Sequence, residues 1–474
     1  MDPTAHCLTL AARGLLLGAT ACATGWPSAS SHPPPRSTEG GDETGTSAEL
    51  PQVRCDAGSH ALRASCSWTD LDADVDLLLD DGLRSRLVPL GAGSGELLLA
   101  DLSPETTYRW EVATEPRVGG DFTTPPLPAG AQLEVSVEGA LSPPLLGMIT
   151  PCAYDSIYVV LDLQGALDVS GPANTPITAS VVAYEDVGAY QSGVLEGVSF
   201  SEDGTVLAVS GFPGGVAELD REGRLVRAWT EDGLYGAPHH DVFRRDGLTF
   251  VLVQELAEGV LLDAVEVFDA SGAEVALWRL ADHLDPLPDL HGALDDDYSH
   301  ANSIWVDDAG DWYLSARHLS AVFKIAGLDA PDAGAIRWIL VGDPEEVRVE
   351  GTLQLLGEES FVRQHNVHIT PQGHLALFDN RRAYPDPSRA LWLDVDEEAG
   401  TASVVQAWTL PMHCPFQGGV WSTAAGTALA TCAPWQVAFE LAPDQPEPVA
   451  SVQVRCAGDE GQSYVPRMVP LEAW

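Results

Sequence analysis

Three histidines in the second half of the chain stand at equivalent places of a repeated pattern. His240, His300 and His365 each begin a strand-like run that reaches a turn glycine seven, ten and eight residues later. The apolar runs that follow these glycines are 248–253, 312–314 and 375–378. Imidazole can act as a nucleophile, a proton carrier or a metal ligand. Three imidazoles at one place of successive repeats are expected to meet at a single site.

The surrounding repeat predicts a β-propeller. One unit runs from Gly197 to Trp229 and reads as strand, glycine turn, strand, link, strand, Asp-x-x-Gly turn and strand. The plan restarts at each of the three histidines and at Gln417, with starts roughly 45 to 65 residues apart, which is typical of propeller blades. A degenerate unit at 157–183 completes the ring. The predicted fold class is therefore all-β, with a six-bladed β-propeller as its main part.

A propeller would bring the three histidines to one mouth of its channel. In an antiparallel hairpin, the start of the first strand and the end of the second lie at the same edge. The innermost strands of all blades surround one channel. Residues that follow the second strands therefore share the mouth with the histidines. They are Glu255, Arg317, His318, Asn380 and Arg381.

The net charge restricts the class of ligand. Asp and Glu number 70 against 24 Lys and Arg, which gives −46 and argues against nucleic acid and anionic membranes as partners. An anionic substrate would be repelled unless the site were locally positive. Arg317 would supply that charge, because guanidinium and imidazolium groups together favour a tetrahedral oxyanion. Three histidines could instead hold zinc, but the neighbouring arginine disfavours a cation, so we predict no metal and no other cofactor.

The N-terminal segments predict export. An apolar run ends in small residues and Cys22, so 1–22 is predicted to be a signal peptide of the lipoprotein type, with a plain cleaved signal as the alternative. Residues 23–50 are rich in Ser, Pro, Gly, Thr and Glu and are predicted to form a disordered tether. The expected location is periplasmic or, as a lipoprotein, the outer membrane. Contact with a membrane is expected only through the lipid anchor.

A small β-sandwich is predicted to precede the propeller. The segment from Leu102 to Tyr108 has the pattern L-x-P-x-T-x-Y, which resembles the tyrosine corner of fibronectin type III domains. Residues 51–126 are therefore predicted to be a fibronectin-III-like β-sandwich. A linker is expected at 127–150, and the propeller catalytic domain at 151–474.

The cysteines predict disulfides. Six remain apart from the two in the N-terminal segment, and an even number in an exported chain favours disulfides over metal thiolates. Cys55 and Cys66 are close enough in sequence to pair within the sandwich. Cys414 and Cys432 are the next expected pair.

Four sequence blocks resemble the signature blocks of the bacterial arylsulfate sulfotransferases. They are G-A-P-H-H-D at 236–241, S-H-A-N-S-I at 299–304, S-A-R-H-L-S-A-V at 315–322 and R-Q-H-N-V at 363–367. The resemblance extends over about 195–440. Members of that family are six-bladed propellers with a small N-terminal β-domain, which agrees with the repeat analysis.

The resemblance implies an activity and a role for each block. The family transfers a sulfuryl group from an aryl sulfate ester to a phenolic acceptor through a sulfohistidine, and it is PAPS-independent, needing no nucleotide sulfate donor and no metal. Carried over block by block, His365 is the nucleophile, while His300, Arg317 and His240 hold the sulfuryl oxygens. His240 is preferred to His239 for that role because it directly precedes Asp241. The further substrate-binding residues implied are His239, His318 and Asn380.

Two other functions stay open at this point. One is a non-enzymatic, lipid-tethered propeller that binds sulfated or phenolic ligands, and the other is a metal-dependent hydrolase that uses the three histidines. The expected partners are a small-molecule aryl sulfate donor and a phenol acceptor. The sequence does not determine the oligomeric state, and a homodimer is one option. Candidates for stacking an aromatic substrate ring are Tyr298, Trp312, Phe416 and Trp435.

Overall fold

Nearly all regular structure in the described chain is β-strand. The computed structural model describes residues 52–473 except 115, 153–155, 164–178, 190–193, 202, 212–213, 258–259, 285–296, 344–348, 358, 383–384 and 458–463. The helices in these ranges are short 3-10 turns. Within the same ranges, no helix has both the length and the apolar character needed to cross a membrane. The predicted signal peptide at 1–22 and tether at 23–50 lie outside the described residues.

The first seven strands form two packed antiparallel sheets. They are β1 (Gln52–Asp56), β2 (Ala64–Leu71), β3 (Val75–Asp80), β4 (Ser85–Leu90), β5 (Gly93–Leu99), β6 (Thr107–Val112) and β7 (Val118–Thr123). The strand orders are β1-β2-β5 and β4-β3-β6-β7. Buried and exposed residues alternate along β2, as expected of a strand with one face on a core. The Tyr108 hydroxyl accepts a hydrogen bond from the Ser103 N–H at 2.7 Å, which is the loop tie of a tyrosine corner. The assignment to the fibronectin type III class stays a prediction.

The remaining strands begin inside the segment predicted to be a linker. In chain order they are β8 (Leu133–Gly139), β9 (Leu145–Ile149), β10 (Ile157–Asp162), β11 (Ser180–Asp186), β12 (Val194–Phe200), β13 (Val206–Gly211), β14 (Gly215–Leu219), β15 (Leu225–Thr230), β16 (Ala237–Arg245), β17 (Leu248–Ala257), β18 (Val260–Phe268), β19 (Glu274–Arg279), β20 (Ala301–Val306), β21 (Trp312–Ala316), β22 (Ala321–Ile325), β23 (Ile336–Val341), β24 (Gln354–Leu356), β25 (His365–Ile369), β26 (Leu375–Asp379), β27 (Arg389–Asp396), β28 (Thr401–Thr409), β29 (Gly419–Ser422), β30 (Ala428–Cys432), β31 (Val437–Leu441), β32 (Ala450–Cys456) and β33 (Met468–Leu471).

These strands form a propeller-like ring of sheets. Among the described residues, strands β8 to β33 form six sheets. Their orders are β33-β9-β10-β11, β12 to β15, β16 to β19, β20 to β23, β25 to β28 with β24, and β29 to β32 with β8. We number them sheets 1 to 6 in that order. Strand β12 packs against β16, β16 against β20, β20 against β25, β25 against β29, β29 against β33, and β9 against β12. The innermost strands therefore enclose a central channel.

The ring is closed by strands from the two ends of the segment that forms it, 133–471. β33 pairs with β9 in sheet 1, and β8 pairs with β32 in sheet 6. The predicted linker at 127–150 is thus wrong, since this segment supplies two strands of the ring. A pattern search along the chain misses such strands because their partners lie more than 300 residues away in sequence.

Three disulfides lie in the described chain. Cys55–Cys66 joins β1 to β2, and Cys414–Cys432 joins the loop before β29 to the end of β30, so both predicted pairs are present. The third, Cys152–Cys456, joins residues 304 apart beside the closing strands. It ties the two ends of the ring together.

Candidate active site

Four residues at the mouth of the channel share a left-handed backbone conformation. His240, His300, Asn366 and Gln417 have left-handed backbones, with φ of 52°, 47°, 53° and 51°. Such a conformation is uncommon for residues other than glycine and tends to occur at functional sites. In the three strands that carry the histidine blocks, the ladder register shifts within two residues of the histidine or directly beside it, between 238 and 242, 301 and 303, and 365 and 368. Each shift marks a bulge, which redirects the side chains at the strand end.

The bulge in β25 also changes which side chains point into the channel. His365 lies opposite Phe378, and His368 lies opposite Ala376. The four residues 365–368 of β25 thus lie opposite the three residues 376–378 of β26. Side chains alternate every residue along a regular strand, so the one extra residue puts His365 and His368 on the same face.

Hydrogen bonds to Asn380 fix the tautomer of His365. The Nδ2 of Asn380 donates to the carbonyls of Cys414 and Gln417 at 2.7 Å and 2.8 Å, which orients the amide. Its Oδ1 therefore faces Nδ1 of His365, at 2.6 Å. An amide oxygen only accepts hydrogen bonds, so Nδ1 of His365 carries the proton. The lone pair of the neutral ring is on Nε2.

His365 is held in its neutral form. Its side chain is 3% exposed. Burial, followed by the positive charge of Arg317, lowers the pKa of His365 well below the usual value of a histidine. An unprotonated imidazole with a free Nε2 is a competent nucleophile at neutral pH.

His300 and His318 are both oriented by Asp297. The Nδ1 of His300 bonds to the carboxylate of Asp297, and the Nδ1 of His318 donates to its backbone carbonyl at 2.7 Å. The two rings lie 4.5 Å apart between centroids. Neither Nε2 bonds to a residue that the structure describes, so both can face a ligand. Burial lowers the pKa of His318 to about 4. Burial disfavours the ionised form of Asp297, but the effect of the His300 ring, which is hydrogen-bonded to it, favours that form more strongly. The pKa of the Asp297 carboxyl is therefore lowered.

His240 contacts His300 on one side and His239 on the other. The rings of His240 and His300 lie 4.8 Å apart. The Nδ1 atoms of His239 and His240 are 2.9 Å apart, and Nε2 of His239 lies 3.1 Å from Asp263. Burial opposes protonation of His239, but the stronger effect of the Asp263 carboxylate raises the pKa of His239. In contrast, burial and neighbouring positive charge lower the pKa of His240. When His239 is protonated, its Nδ1–H donates to His240, which leaves Nε2 of His240 as a donor toward a ligand.

Two arginines at this mouth make no ion pair with any residue that the structure describes. Among the arginines of the described chain whose side chains are not exposed, only Arg317 and Arg363 make no side-chain hydrogen bond or ion pair within that part of the chain. Both arginines lie beside the turn at Ser320. The backbone N–H of Ser320 donates to the Arg317 carbonyl at 3.1 Å, and the Ser320 hydroxyl accepts the backbone N–H of Arg363 at 3.2 Å. Burial, and then the charge of Arg363, lower the pKa of Arg317 to about 10. Two unpaired guanidinium groups in so acidic a chain are suited to bind an anion.

The other predicted residues differ in their surroundings. Asn380 uses both ends of its amide on protein groups, so it orients His365 and has no free hydrogen-bonding group for substrate. Glu255 is bonded to Arg279 and Tyr235 and is not brought to the histidines. Arg381 lies 3.8 Å from the carboxylate of Asp379.

Sequence reasoning missed Arg467. Its guanidinium donates to Asp241 at 2.8 Å and to the carbonyl of Asn302 at 2.6 Å. Its charge contributes to the lowered pKa of both His240 and His365. No repeat signal could have indicated it, because Arg467 precedes the closing strand β33 and lies outside the histidine blocks. Asp297 and Arg363 were missed too, although Arg363 is the first residue of one block and Asp297 lies just before another.

One group at the mouth has the composition of a metal site. Ligand atoms of Asp297, His300 and His318 lie within 4.8 Å of one another. A cation there would have to displace the hydrogen bonds to Asp297. It would also lie next to Arg317, whose protonated form is already disfavoured by Arg363.

The aromatic candidates divide into core and surface. Tyr298 and Trp312 are 8% and 1% exposed and belong to the core between sheets 3 and 4. Phe416 and Trp435 are 41% and 55% exposed. Phe416 packs edge-on against Tyr464, with ring centroids 5.8 Å apart. Burial raises the pKa of Tyr464, and the negative charge of Glu196 raises it further.

The sequence of residues 153–413 matches the family described as Arylsulfotransferase (ASST). The match spans more than half of the 474 residues. The chain belongs to this family. The predicted family is thereby confirmed, and the protein is a sulfotransferase whose family acts on small aromatic donors and phenolic acceptors. No curated protein matches this arylsulfotransferase in sequence.

Three of the solved structures that are similar to this arylsulfotransferase share 9–12% of its residues. A protein of unknown function from Bacteroides caccae is 9% identical, with 70% of this chain and 100% of that chain covered and a TM-score of 0.41. Virginiamycin B lyase from Staphylococcus aureus is 9% identical, with 69% and 90% covered and a TM-score of 0.38. A chain of a nidogen/laminin complex is 12% identical, with 69% and 98% covered and a TM-score of 0.41. Similarities at this level support no conclusion about activity.

Proposed function

We propose that this arylsulfotransferase moves a sulfuryl group from an aryl sulfate ester to a phenol through a sulfohistidine on His365, without PAPS. The observation that carries the proposal is a buried, neutral histidine with a free Nε2 beside an unpaired arginine. A neutral nucleophile is repelled less by an anionic ester than a carboxylate would be. The arginine supplies the positive potential that an anion needs in a chain of charge −46.

The proposed reaction has two balanced halves. The Nε2 lone pair of His365 attacks sulfur, the bond from sulfur to the aryl oxygen breaks, and an aryl oxide leaves. The phenolic acceptor then gives up its proton and attacks sulfur, which breaks the N–S bond and restores neutral His365. The first leaving group takes up a proton overall, so neither an oxidant nor a nucleotide is consumed.

The surrounding side chains have separate roles in this proposal. Arg317, His300 and His240 hold the sulfuryl oxygens, because sulfuryl transfer, like phosphoryl transfer, depends mainly on alignment and charge stabilisation. His318 lies beside His300 and adds a further ring nitrogen. Asn380 and His239, predicted as substrate-binding residues, act here as positioning residues, since their polar atoms face His365, His240 and Asp263.

The setting of the enzyme is also a proposal. Three disulfides favour an oxidising compartment, which supports export to the periplasm. A lipid anchor at Cys22 would then hold the protein at the outer membrane. We further propose that the six sheets are the six blades of the predicted propeller.

Turnover of a synthetic donor tests the proposed function. Purified protein given 4-nitrophenyl sulfate and phenol, with a metal chelator and no PAPS, is expected to release 4-nitrophenol and form phenyl sulfate in equal amounts. Chromatography of both products, with nitrophenol absorbance, measures this. A thermal melt shifted by the donor without any product would instead favour the non-enzymatic, ligand-binding alternative.

A further inference from the structure

Four aromatic rings meet in the channel beyond the mouth histidines. Phe243, Trp305, His368 and Trp421 lie on β16, β20, β25 and β29, the first strands of four consecutive sheets. We call them the aromatic plug. Their ring centroids are 4.6 Å apart for Phe243 and Trp305, 5.6 Å for Trp305 and His368, 5.0 Å for His368 and Trp421, and 6.3 Å for Trp305 and Trp421.

The plug reaches across the channel. Trp305 belongs to sheet 4 and Trp421 to sheet 6, with sheet 5 between them in the ring. Rings from sheets that are not neighbours can approach this closely only by filling the space that the innermost strands enclose. His368 lies two ladder positions beyond His365 on the same face, which is about 7 Å along the strand. The plug therefore lies directly behind the proposed nucleophile.

Solvent does not reach two of the polar atoms of the plug. Nε2 of His368 and Nε1 of Trp421 are both buried, and within the described residues neither has a hydrogen-bond partner. His368 is 3% exposed, and burial lowers its pKa to about 4, so its ring is neutral. Unpaired buried polar atoms cost free energy, and an aliphatic core would avoid that cost.

We propose that the aromatic plug decides the fate of the sulfuryl group by keeping water away from the channel side of His365. The inference depends on the proposed function. The N–S bond of a sulfohistidine can be broken by a phenol, which forms an aryl sulfate, or by water, which forms hydrogensulfate and restores the histidine. Excluding water suppresses such hydrolysis of a reactive intermediate. The acceptor then enters from the open mouth, where the histidines and arginines lie.

The partition between the two products tests this inference. In Trp305→Ala and Trp421→Ala, the ratio of inorganic sulfate to phenyl sulfate is expected to rise several-fold, with nitrophenol release retained. Trp305→Phe keeps a ring and should keep the wild-type ratio. Trp408→Ala is the matched control, because Trp408 is buried but lies on β28, the fourth strand of its sheet. An unchanged ratio in folded Trp305→Ala and Trp421→Ala would overturn the inference.

A second measurement does not depend on turnover. Deuterium exchange at the C2 carbon of His365, followed by mass spectrometry, reports how readily water reaches the ring. It is expected to be slow in the wild type and faster in Trp305→Ala, while His374, outside the plug, is unchanged. If the wild type forms no phenyl sulfate, the proposed function fails, and the exchange rates still show whether the plug excludes water. Equal exchange at His365 in both proteins would contradict the plug. Trp305→Leu serves for both measurements if Trp305→Ala does not fold.

Discussion

Replacing His365 with alanine is expected to abolish release of nitrophenol from 4-nitrophenyl sulfate. The variant lacks the only group to which the sulfuryl would be transferred, and removal of a covalent nucleophile typically lowers kcat by about 10³-fold or more. Arg317, His300 and His240 remain in place, so donor binding should persist. Initial rates over a range of donor concentrations measure the effect on kcat and KM separately.

The matched control for this variant is His374→Ala. His374 lies directly before β26 and its ring is stacked with that of Trp392, with ring centroids 6.5 Å apart. Its removal should leave turnover close to that of the wild type. Thermal melts of both variants establish that they are folded. Substantial turnover by folded His365→Ala would contradict a sulfohistidine at this position.

Replacing Arg317 with glutamine is expected to slow turnover and to move its pH dependence. Loss of one preorganised charged donor typically lowers the rate by about 10²-fold or more. The positive charge of Arg317 disfavours protonation of His365 and so lowers its pKa. Without that charge the pKa of His365 rises. Since only the neutral imidazole attacks, the acid limb of kcat/KM should move to higher pH. Rate profiles from pH 4 to 10 measure this.

The rate at alkaline pH provides a second, independent test of the role of Arg317. Arg317 loses its proton near its lowered pKa of about 10, so wild-type activity should fall there, and the glutamine variant should lack that fall. Arg317→Lys keeps a charge without the planar fork, so its acid limb should stay near the wild-type position while its rate falls. Arg381→Gln is the control at the same rim. An acid limb unchanged in Arg317→Gln would show that Arg317 does not act on His365.

The repeat spacing was sufficient to predict the propeller-like fold and a common mouth for the histidine blocks. Strand starts at equivalent places of a repeat must meet around one axis, whatever the details of packing. The rings of His240 and His300 accordingly lie 4.8 Å apart. The family, suggested by the same blocks, was confirmed over 153–413.

Features that depend on ring closure could not be predicted in this way. Strands β8 and β9 pair with strands from the far end of the chain, so their segment carries no repeat of its own and was taken for a linker. Arg467 reaches Asp241 across 226 residues of sequence for the same reason. The plug depends on the bulge of β25, which contains the left-handed residue Asn366. The extra residue of this bulge puts the side chain of His368 on the same face of the strand as that of His365. A strict alternation of side chains predicts the opposite face.

The central claim is a covalent sulfuryl group on one nitrogen of His365. Trypsin cleaves after Arg363 and Arg381, so the peptide 364–381 carries His365 together with His368 and His374. After brief exposure to 4-nitrophenyl sulfate without an acceptor and an alkaline quench, this peptide is expected to gain about 80 Da, the mass of a transferred sulfuryl group held by a covalent nucleophile. Fragmentation should place the added mass on His365, and later addition of phenol should remove it. Nitrophenol release without added mass on this peptide, or added mass on another residue, would contradict the account.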